Sequence, residues 1–560
     1  MDAPRPGSPI PPVRKPKTPT VATGKHTYRP DGLLQVNPAG RHPIIELTDH
    51  AQKVWNDKLA TQSRTLKDAV AEYKRRYGRK PPKGFDKWWD FVVKHKVQLP
   101  DEYDQIWRNI EPFWGVDPRD LQELQKEAEK REDTYTIIND EQGMRAINPL
   151  DVPRAEDQMA VMRLAGSSLP HFRATMSIHD GPGHVISYEH REALKEAAAE
   201  GGYIDIHDPP QSSTHGWAAN CAHGSPLRHP SGEDEEHDSP SRTFIYNHYQ
   251  SMDPCTHPSH VLYNGFLASH REGPGPHPTL IPTFAICSTA FHADILTVAP
   301  EQWMEEVDDP IEWDQKSDER ILWRGSNTGI LFQDDMPWNS SQRVRLMSAV
   351  SRRDGFQDVY LPPRKGEEEA PVGEEVRMRA GRLNNALMDI AFAGEPIQCG
   401  EGRACEEVRA MFDWRNKQQF GEANVYKYVM DIDGNGWSAR FKRLMTSKSL
   451  VFKTTIHPEW YQDRVMPWLH YVPIQNDFSD LYDAMLFFHG DLNAEVDQSK
   501  GDGGEGRRGH DELAKKIAME GRKWSLEFWR MEDMCAYQFR LMLEYARIMA
   551  VDREKMSFDI

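Results

Sequence analysis

The chain has 560 residues, 38% of them hydrophobic, enough for more than one buried core and too many for a disordered polymer. Its formal net charge of −18 excludes a general nucleic-acid binder, so cations at any anion site must act locally against an acidic background. Six cysteines (Cys221, Cys255, Cys287, Cys399, Cys405 and Cys535) never form a Cys-x-x-Cys pair, which argues against zinc ribbons and redox dithiols. Cys221 with Cys255, and Cys399 with Cys405, can pair in an oxidising compartment.

Residues 1–42 are rich in proline and basic residues and are expected to form a disordered tail. No apolar stretch follows the first methionine, so no ordinary signal peptide is visible. The most apolar later window, Thr279 to Ala299, contains Pro282, His292 and Asp294 and does not read as a membrane span. Residues 43–133 read as helical, with Leu59, Leu66, Val70 and Tyr73 at helical spacing, then the aromatic cluster Phe85, Trp88, Trp89 and Phe91. Core packing is the first reading of that cluster; a platform for a sugar ring is the alternative.

A mixed unit, 134–310, follows. Ala174 to Ile178 suits a short strand, and Gly181-Pro182-Gly183 would leave Asp180 at its carboxyl end, where ligands sit in α/β folds. By turn chemistry alone an Asp before Gly-Pro is a turn former. Residues 201–278 read as loop, with an acidic run at Glu233 to Glu236 and recurrent histidines (His207, His215, His223, His229, His237, His248, His257, His260) that lack metal-ligand spacing and are expected to be solvated. Pro282 to Ser288 looks like a strand and His292 to Trp303 a loop.

A second α/β unit, 311–530, opens with the strand Ile321 to Trp323, which runs into Arg324-Gly325-Ser326-Asn327-Thr328-Gly329, the pattern by which a strand end delivers a guanidinium and small donors to a phosphate. Ser341 to Ser351 suits a helix, Asp358 to Leu361 a strand, and Pro362 to Glu375 a solvated, mobile loop. The most informative stretch is Tyr426 to Phe452. Its apolar run to Ile432 breaks at Gly434-Asn435-Gly436, restarts with helical spacing at Phe441, Leu444 and Met445, and ends in the strand-like Ser449 to Phe452. Such a β-α-β crossover points free N–H groups at the turn, beside Arg440, Lys442 and Arg443, which suits an anionic ligand. A surface turn with solvated cations is the plain alternative. Asp431 to Gly436 imitates the start of a calcium loop, but Lys442 stands where the bidentate Glu belongs. Leu469 to Ile474 reads as a further strand, and Ser479 to Phe488, Asp511 to Phe528 and Glu532 to Met549 as helices; 531–560 is expected to pack back across both units.

The Trp-Arg-Gly-Ser-x-Thr run at Trp323, Ser438-x-Arg440-Phe441-Lys442-x-Leu444, Ser449 to Phe452, Pro467-Trp468-x-His470-Tyr471-x-Pro473 and Tyr545-Ala546-Arg547 together resemble the capsule-associated-protein (CAP10-like) family of glycosyltransferases, which includes the protein O-glucosyltransferases. The resemblance runs from about Phe85 to about Arg553. It implies an α/β fold of two Rossmann-like domains facing across a cleft, the GT-B arrangement, after a helical N-terminal extension. It implies an inverting glycosyltransferase that moves a sugar, glucose or xylose, from a UDP-sugar to a hydroxyl of a protein or glycan, in the secretory lumen (ER or Golgi), without a metal or other cofactor. Leu169-Pro170 and Asp180-x-Pro182 match the segment of that family carrying the catalytic aspartate, so Asp180 is assigned as base, although His179 stands where the family often has Arg. Arg324, Ser326, Asn435, Gly436, Trp437, Ser438, Ala439 and Arg440 are the donor-binding candidates, and Asp294 and Trp303 the acceptor contacts. Asp431-Ile432-Asp433 spells Asp-x-Asp but matches no metal site of the family. A non-catalytic carbohydrate-binding or scaffold protein of the same fold, and a nucleotide-dependent phosphotransferase, remain the alternatives.

Overall fold

The computed structural model describes residues 21–148, 153–229, 242–270, 272–303, 306–364, 366–492 and 509–560. The fold is mixed α/β and is built around two sheets. The first contains β1 (Thr134–Asp140), β2 (Gly143–Ile147), β3 (Phe172–Ser177), β4 (Thr283–Ala285) and β5 (Ile295–Leu296) in the order β2-β1-β3-β4-β5. β1 pairs antiparallel with both β2 and β3, whereas β3, β4 and β5 run parallel. The tight β1–β2 reversal, at Gly143 with φ of 90°, and the antiparallel β1–β3 pair make this sheet mixed rather than parallel throughout.

The second sheet contains β6 (Asp318–Gly325), β7 (Met388–Ala393), β8 (Trp414–Arg415), β9 (Tyr426–Ile432), β10 (Leu450–Thr454) and β11 (Val472–Pro473), ordered β8-β7-β6-β9-β10-β11 and parallel throughout. Every residue of β9 is buried, which is why it reads as a nearly continuous apolar run instead of an alternating one. Two expected strands differ. Phe356–Val359 leaves the main sheet and forms an antiparallel hairpin with Val376–Arg379, and within the Leu469 to Ile474 stretch only Val472–Pro473 joins the main sheet.

The helical region 43–133 packs beneath helix α1 (Met531–Met549), which is buried along most of its length. Phe85, Trp88, Trp89 and Phe91 are all buried, and the Trp88 indole donates to Ala536 O at 3.0 Å, so this cluster is core. α1 also donates from Tyr537 to Leu296 O and from Tyr545 to Arg173 O, and the rings of Tyr537 and Trp460 lie 5.7 Å apart. It therefore touches both sheets' surroundings.

Residues 1–20 of the expected tail, and the acidic run with His237, lie outside the described residues. Residues 21–42, in contrast, carry the short strands Thr27–Tyr28 and Leu33–Gln35, with Leu34 and Val36 buried. The Pro362 to Glu375 loop is tied to this segment, since Val372 N donates to Gly40 O and Gly373 N to Pro38 O. Region 201–278 holds short helices and a disulfide between Cys221 and Cys255; the second offered pair, Cys399 and Cys405, is also bonded. His248 and His260 are not solvated. Both are buried, with His248 Nδ1 against Tyr471 Oη and His260 Nε2 against Ser251 O, both at 2.8 Å, and burial lowers their pKa values to about 3 and about 4. Among the described residues no helix is long and apolar enough to cross a membrane.

Candidate active site

The carboxyl ends of the second sheet's strands open into a cleft of about 520 Å³. β6 contributes Trp323, Arg324 and Gly325 to its wall, the helix Phe441–Thr446 follows Arg440 and supplies Arg443, and Lys417 and Glu395 stand on other walls. The lining thus carries four cations (Arg324, Lys417, Arg440, Arg443) against one carboxylate, Glu395, and the ledger favours an anion. Arg440 packs over the Trp323 ring at 5.7 Å, and its buried Nε, 3.9 Å from Asp431 Oδ1, has no hydrogen-bond partner among the described residues. A Cβ on Gly325 would stand 2.6 Å from the Trp323 ring and 2.8 Å from Arg440 Nη1, so only glycine lets this guanidinium lie against the strand.

Arg324 is held differently from the expectation. Its guanidinium donates to Asp389 Oδ1 and to Asp389 O, both at 2.6 Å, and to Trp323 O at 2.9 Å. Asp389 also binds Arg415 and the Tyr426 hydroxyl. Burial alone would raise its pKa, but Tyr426, Arg324 and Arg415 outweigh this and lower it. Arg324 therefore faces the cleft while anchored to an ionised carboxylate at the start of β7.

Sequence reasoning did not single out Arg343, which organises the loop after β6. It donates to Ser326 O at 2.7 Å, Thr328 Oγ1 at 2.6 Å and Asp433 O at 2.9 Å, and so ties that loop to the end of β9. Burial, then the charge of Arg440, pushes its pKa down to about 9. Asn435 makes the next link: its Oδ1 accepts from Gly329 N at 3.0 Å, and its Nδ2 donates to Asp180 Oδ2 at 3.3 Å.

Asp180 lies just beyond β3, at the carboxyl end of the first sheet, and meets the turn that follows β9 in the second. Its Oδ1 accepts from the Trp437 indole at 3.3 Å and from Arg154 Nη2 at 3.2 Å. Arg154 is itself bonded to Glu301 at 2.5 Å. The carboxylate is 41% exposed, open enough for a ligand to reach. Gly436 packs so closely that a Cβ there would meet Asp180 O at 2.8 Å and Gly181 Cα at 2.9 Å.

Of the donor candidates, Arg324, Ser326 and Arg440 line the cleft, whereas Asn435, Gly436, Trp437, Ser438 and Ala439 lie on the turn joining it to Asp180. Ser438 is buried against Asp431 Oδ1, and Ala439 is exposed. Asp431 and Asp433 are buried and held internally, the first by Lys453 at 2.8 Å and the second by His457 at 3.0 Å and Thr455 at 2.6 Å. Among the described residues no group of three or more His, Cys, Asp or Glu gathers as metal ligands.

The two acceptor candidates lie elsewhere. Asp294 is buried, with Oδ2 accepting from Gly183 N at 3.1 Å and His184 N at 2.8 Å, so it shapes the turn after Asp180 from inside the fold. Trp303 borders a separate groove of about 890 Å³ with Lys442, Trp529 and Arg530.

Residues 404–557 match the profile of glycosyl transferase family 90. Protein O-glucosyltransferase 1 of Rattus norvegicus is 29% identical over 140 residues, 24% of this chain and 30% of that protein. Protein O-glucosyltransferase 2 of Danio rerio is 28% identical over 124 residues (22% of this chain, 21% of that protein), and O-glucosyltransferase rumi of Drosophila pseudoobscura pseudoobscura is 31% identical over 131 residues (23% and 27%). The matched part thus spans no more than 30% of the length of these relatives. The profile covers Arg440, Asn435 and Trp437 but stops short of Arg324 and Asp180. Over residues 404–557 the chain is thus similar to glycosyl transferase family 90, the CAP10-like glycosyltransferases, and to proteins named as O-glucosyltransferases.

Proposed function

We propose that the chain is an inverting glycosyltransferase that moves a sugar, glucose or xylose, from a UDP-sugar to a hydroxyl of a protein or glycan. The observation that carries this reading is the meeting of two strand ends: a cation-lined cleft after β6 and β9, and the partly exposed carboxylate of Asp180 after β3, joined by the turn 434–437. The two sheets then act as the facing units of a GT-B arrangement, with the donor on the second.

The chemistry follows from this placement. Buried guanidinium groups stabilise the charge that develops on a departing diphosphate, and they are worth more in a partly dry cleft than in water. Arg440, Arg443 and Arg324, the last also bonded to Asp389, would share this role. Asp180 takes the proton of the acceptor hydroxyl as its oxygen attacks the anomeric carbon, and the electron pair of the broken bond leaves with UDP. One displacement inverts the anomeric configuration. A glycosidase would need two carboxylates flanking the bond; Glu301 reaches Asp180 only through the Arg154 guanidinium. The names of the relatives favour glucose, and the family association favours a secretory compartment, in which Cys221–Cys255 and Cys399–Cys405 would be stable.

The test combines binding and turnover. A UDP-sugar at 100 times its dissociation constant should stabilise the fold by about 2.7 kcal/mol, read as a raised melting temperature. Product analysis then identifies sugar, linkage and anomer. Asp180→Asn should lose transfer while keeping its fold and its UDP affinity. Stabilisation by UDP-sugars without transfer, equally in parent and variant, would favour the carbohydrate-binding scaffold; magnesium-dependent nucleoside triphosphate turnover would favour a phosphotransferase.

A further inference from the structure

Asp180 is gripped by Arg154, which precedes β3, and by Asn435 and Trp437 of the turn after β9, and the grip is asymmetric. Oδ1 accepts two hydrogen bonds, from Arg154 Nη2 and Trp437 Nε1; Oδ2 accepts one, from Asn435 Nδ2. We infer that Arg154, Asn435 and Trp437 are positioning residues for the base, and that they leave Asp180 Oδ2 as the atom that receives the acceptor's proton. The inference rests on the reading of Asp180 as that base.

A carboxylate oxygen accepts about two hydrogen bonds in its plane, so the two donors fill Oδ1, while Oδ2 keeps a lone pair. Each donor is itself fixed. Arg154 is held by Glu301 and by the carbonyls of Ile178 and His179, both at 3.2 Å, so its fork cannot swing away. Asn435 has its orientation set at both ends, because Gly329 N requires the amide oxygen on one side and Asp180 receives the amide nitrogen on the other. Trp437 is buried, and its ring packs with Ile286, Cys287 and Ala299, which follow β4 and β5 of the first sheet. It is not a wall of the cation-lined cleft. Its indole therefore packs against the first sheet, beside Asp180, although its backbone follows β9 of the second. The Cys287 thiol adds a contact to the main chain, donating to Asp180 O at 3.1 Å.

The proton step balances simply: the acceptor O–H bond breaks, its hydrogen binds Asp180 Oδ2, and the acceptor oxygen bonds to the anomeric carbon as the bond to the UDP oxygen breaks. Asn435 gives the arrangement a further property. It connects Asp180 to the 326–329 loop, so a shift of that loop on donor binding would turn the carboxylate that must act next.

The experiment compares Trp437→Phe, Asn435→Ala, Arg154→Lys and Arg154→Met in the full chain, reading kcat and donor KM with the sugar nucleotide that the parent turns over, and UDP affinity by calorimetry. Trp437→Phe keeps the ring and removes only the N–H, so folding should survive, and a melting curve checks this. The expected result is a kcat reduced by roughly tenfold or more with UDP affinity unchanged, since a small misplacement of a reacting group has a cost of this order. Arg154→Lys should retain more kcat than Arg154→Met. In an Asp180→Asn background, Trp437→Phe should cause no further loss. Weaker UDP binding with kcat intact would make Trp437 a donor contact and overturn the inference, as would wild-type kcat in both Trp437→Phe and Asn435→Ala. If Asp180→Asn itself remains active, the functional reading has failed instead.

Discussion

Arg343, Arg440 and Arg443 converge beside the cleft, and burial lowers the pKa of all three, helped for Arg343 and Arg443 by the charge of Arg440. A dianion in the cleft would relieve this strain, so the site holds charge in advance of its ligand. Asp294 shows the opposite balance. Burial raises its pKa from 3.8 to about 6, despite hydrogen bonds from His184 and Gly183. Because the folded value exceeds the unfolded one, the folded state is favoured most below pH 3.8, and stability falls as pH rises to about 6. Asp294→Asn should remove that fall, on the order of 3 kcal/mol by the linkage relation, and melt no lower than the parent at pH 7. Melting temperatures recorded from pH 4 to 8 check it. The chain around Asp180, Asn435 and Trp437 could be marked from sequence because glycines punctuate it and motifs flank it. Arg154 could not: its partners Asp180 and Glu301 stand 26 and 147 residues away, and nothing local distinguishes it from a surface arginine. Arg343 sits in the helix Gln342–Ser351 and is hidden for the same reason.

The β9–turn–helix–β10 crossover was legible because its apolar run, glycine break and helical spacing change period in sequence. β7 was not, although it brings Asp389 to Arg324. Met388–Ala393 is a short apolar run directly after the helix Ala380–Leu387, and periodicity alone cannot divide such a stretch into helix and strand. The hairpin Phe356–Val359 with Val376–Arg379 was misplaced because local propensity names a strand but not its partner. At the crossover's turn, Gly436 is required for space. Gly436→Ala must drive backbone against backbone at Asp180 and Gly181, and overpacking of this kind costs about 1–3 kcal/mol. Transfer should fall much further than stability, since the displaced group is Asp180; kcat and melting temperature measured together check this.

Across the molecule, α1 links the helical region 43–133, the first sheet and, through Tyr537 and Trp460, the segment after β10. Residues 80–83 join residues 547–558 by Arg547 to Lys80 O, Lys83 N to Met556 O and Phe558 N to Pro81 O. Arg547 and Tyr73 also share Glu544 in a buried network. That 531–560 packs back was expected, but its partners could not be read, because those bonded to Tyr537, Tyr545, Ala536 and Arg547 lie 241 to 467 residues away. A chain ending at residue 530 would expose Trp88 and the back of the first sheet; we expect it to be insoluble or to bind hydrophobic dyes, whereas the full chain melts in a cooperative transition.

The same helix constrains the order of events at the ribosome. Domains commonly fold as they emerge, first-made first. Here the sheet bearing Asp180 acquires its covering layer only after residue 549 has been synthesised, so its earlier residues must wait, partly uncovered, through the making of the whole donor unit. A holding chaperone during translation is the natural demand of such a design, and yield in a cell-free system with and without one would measure it.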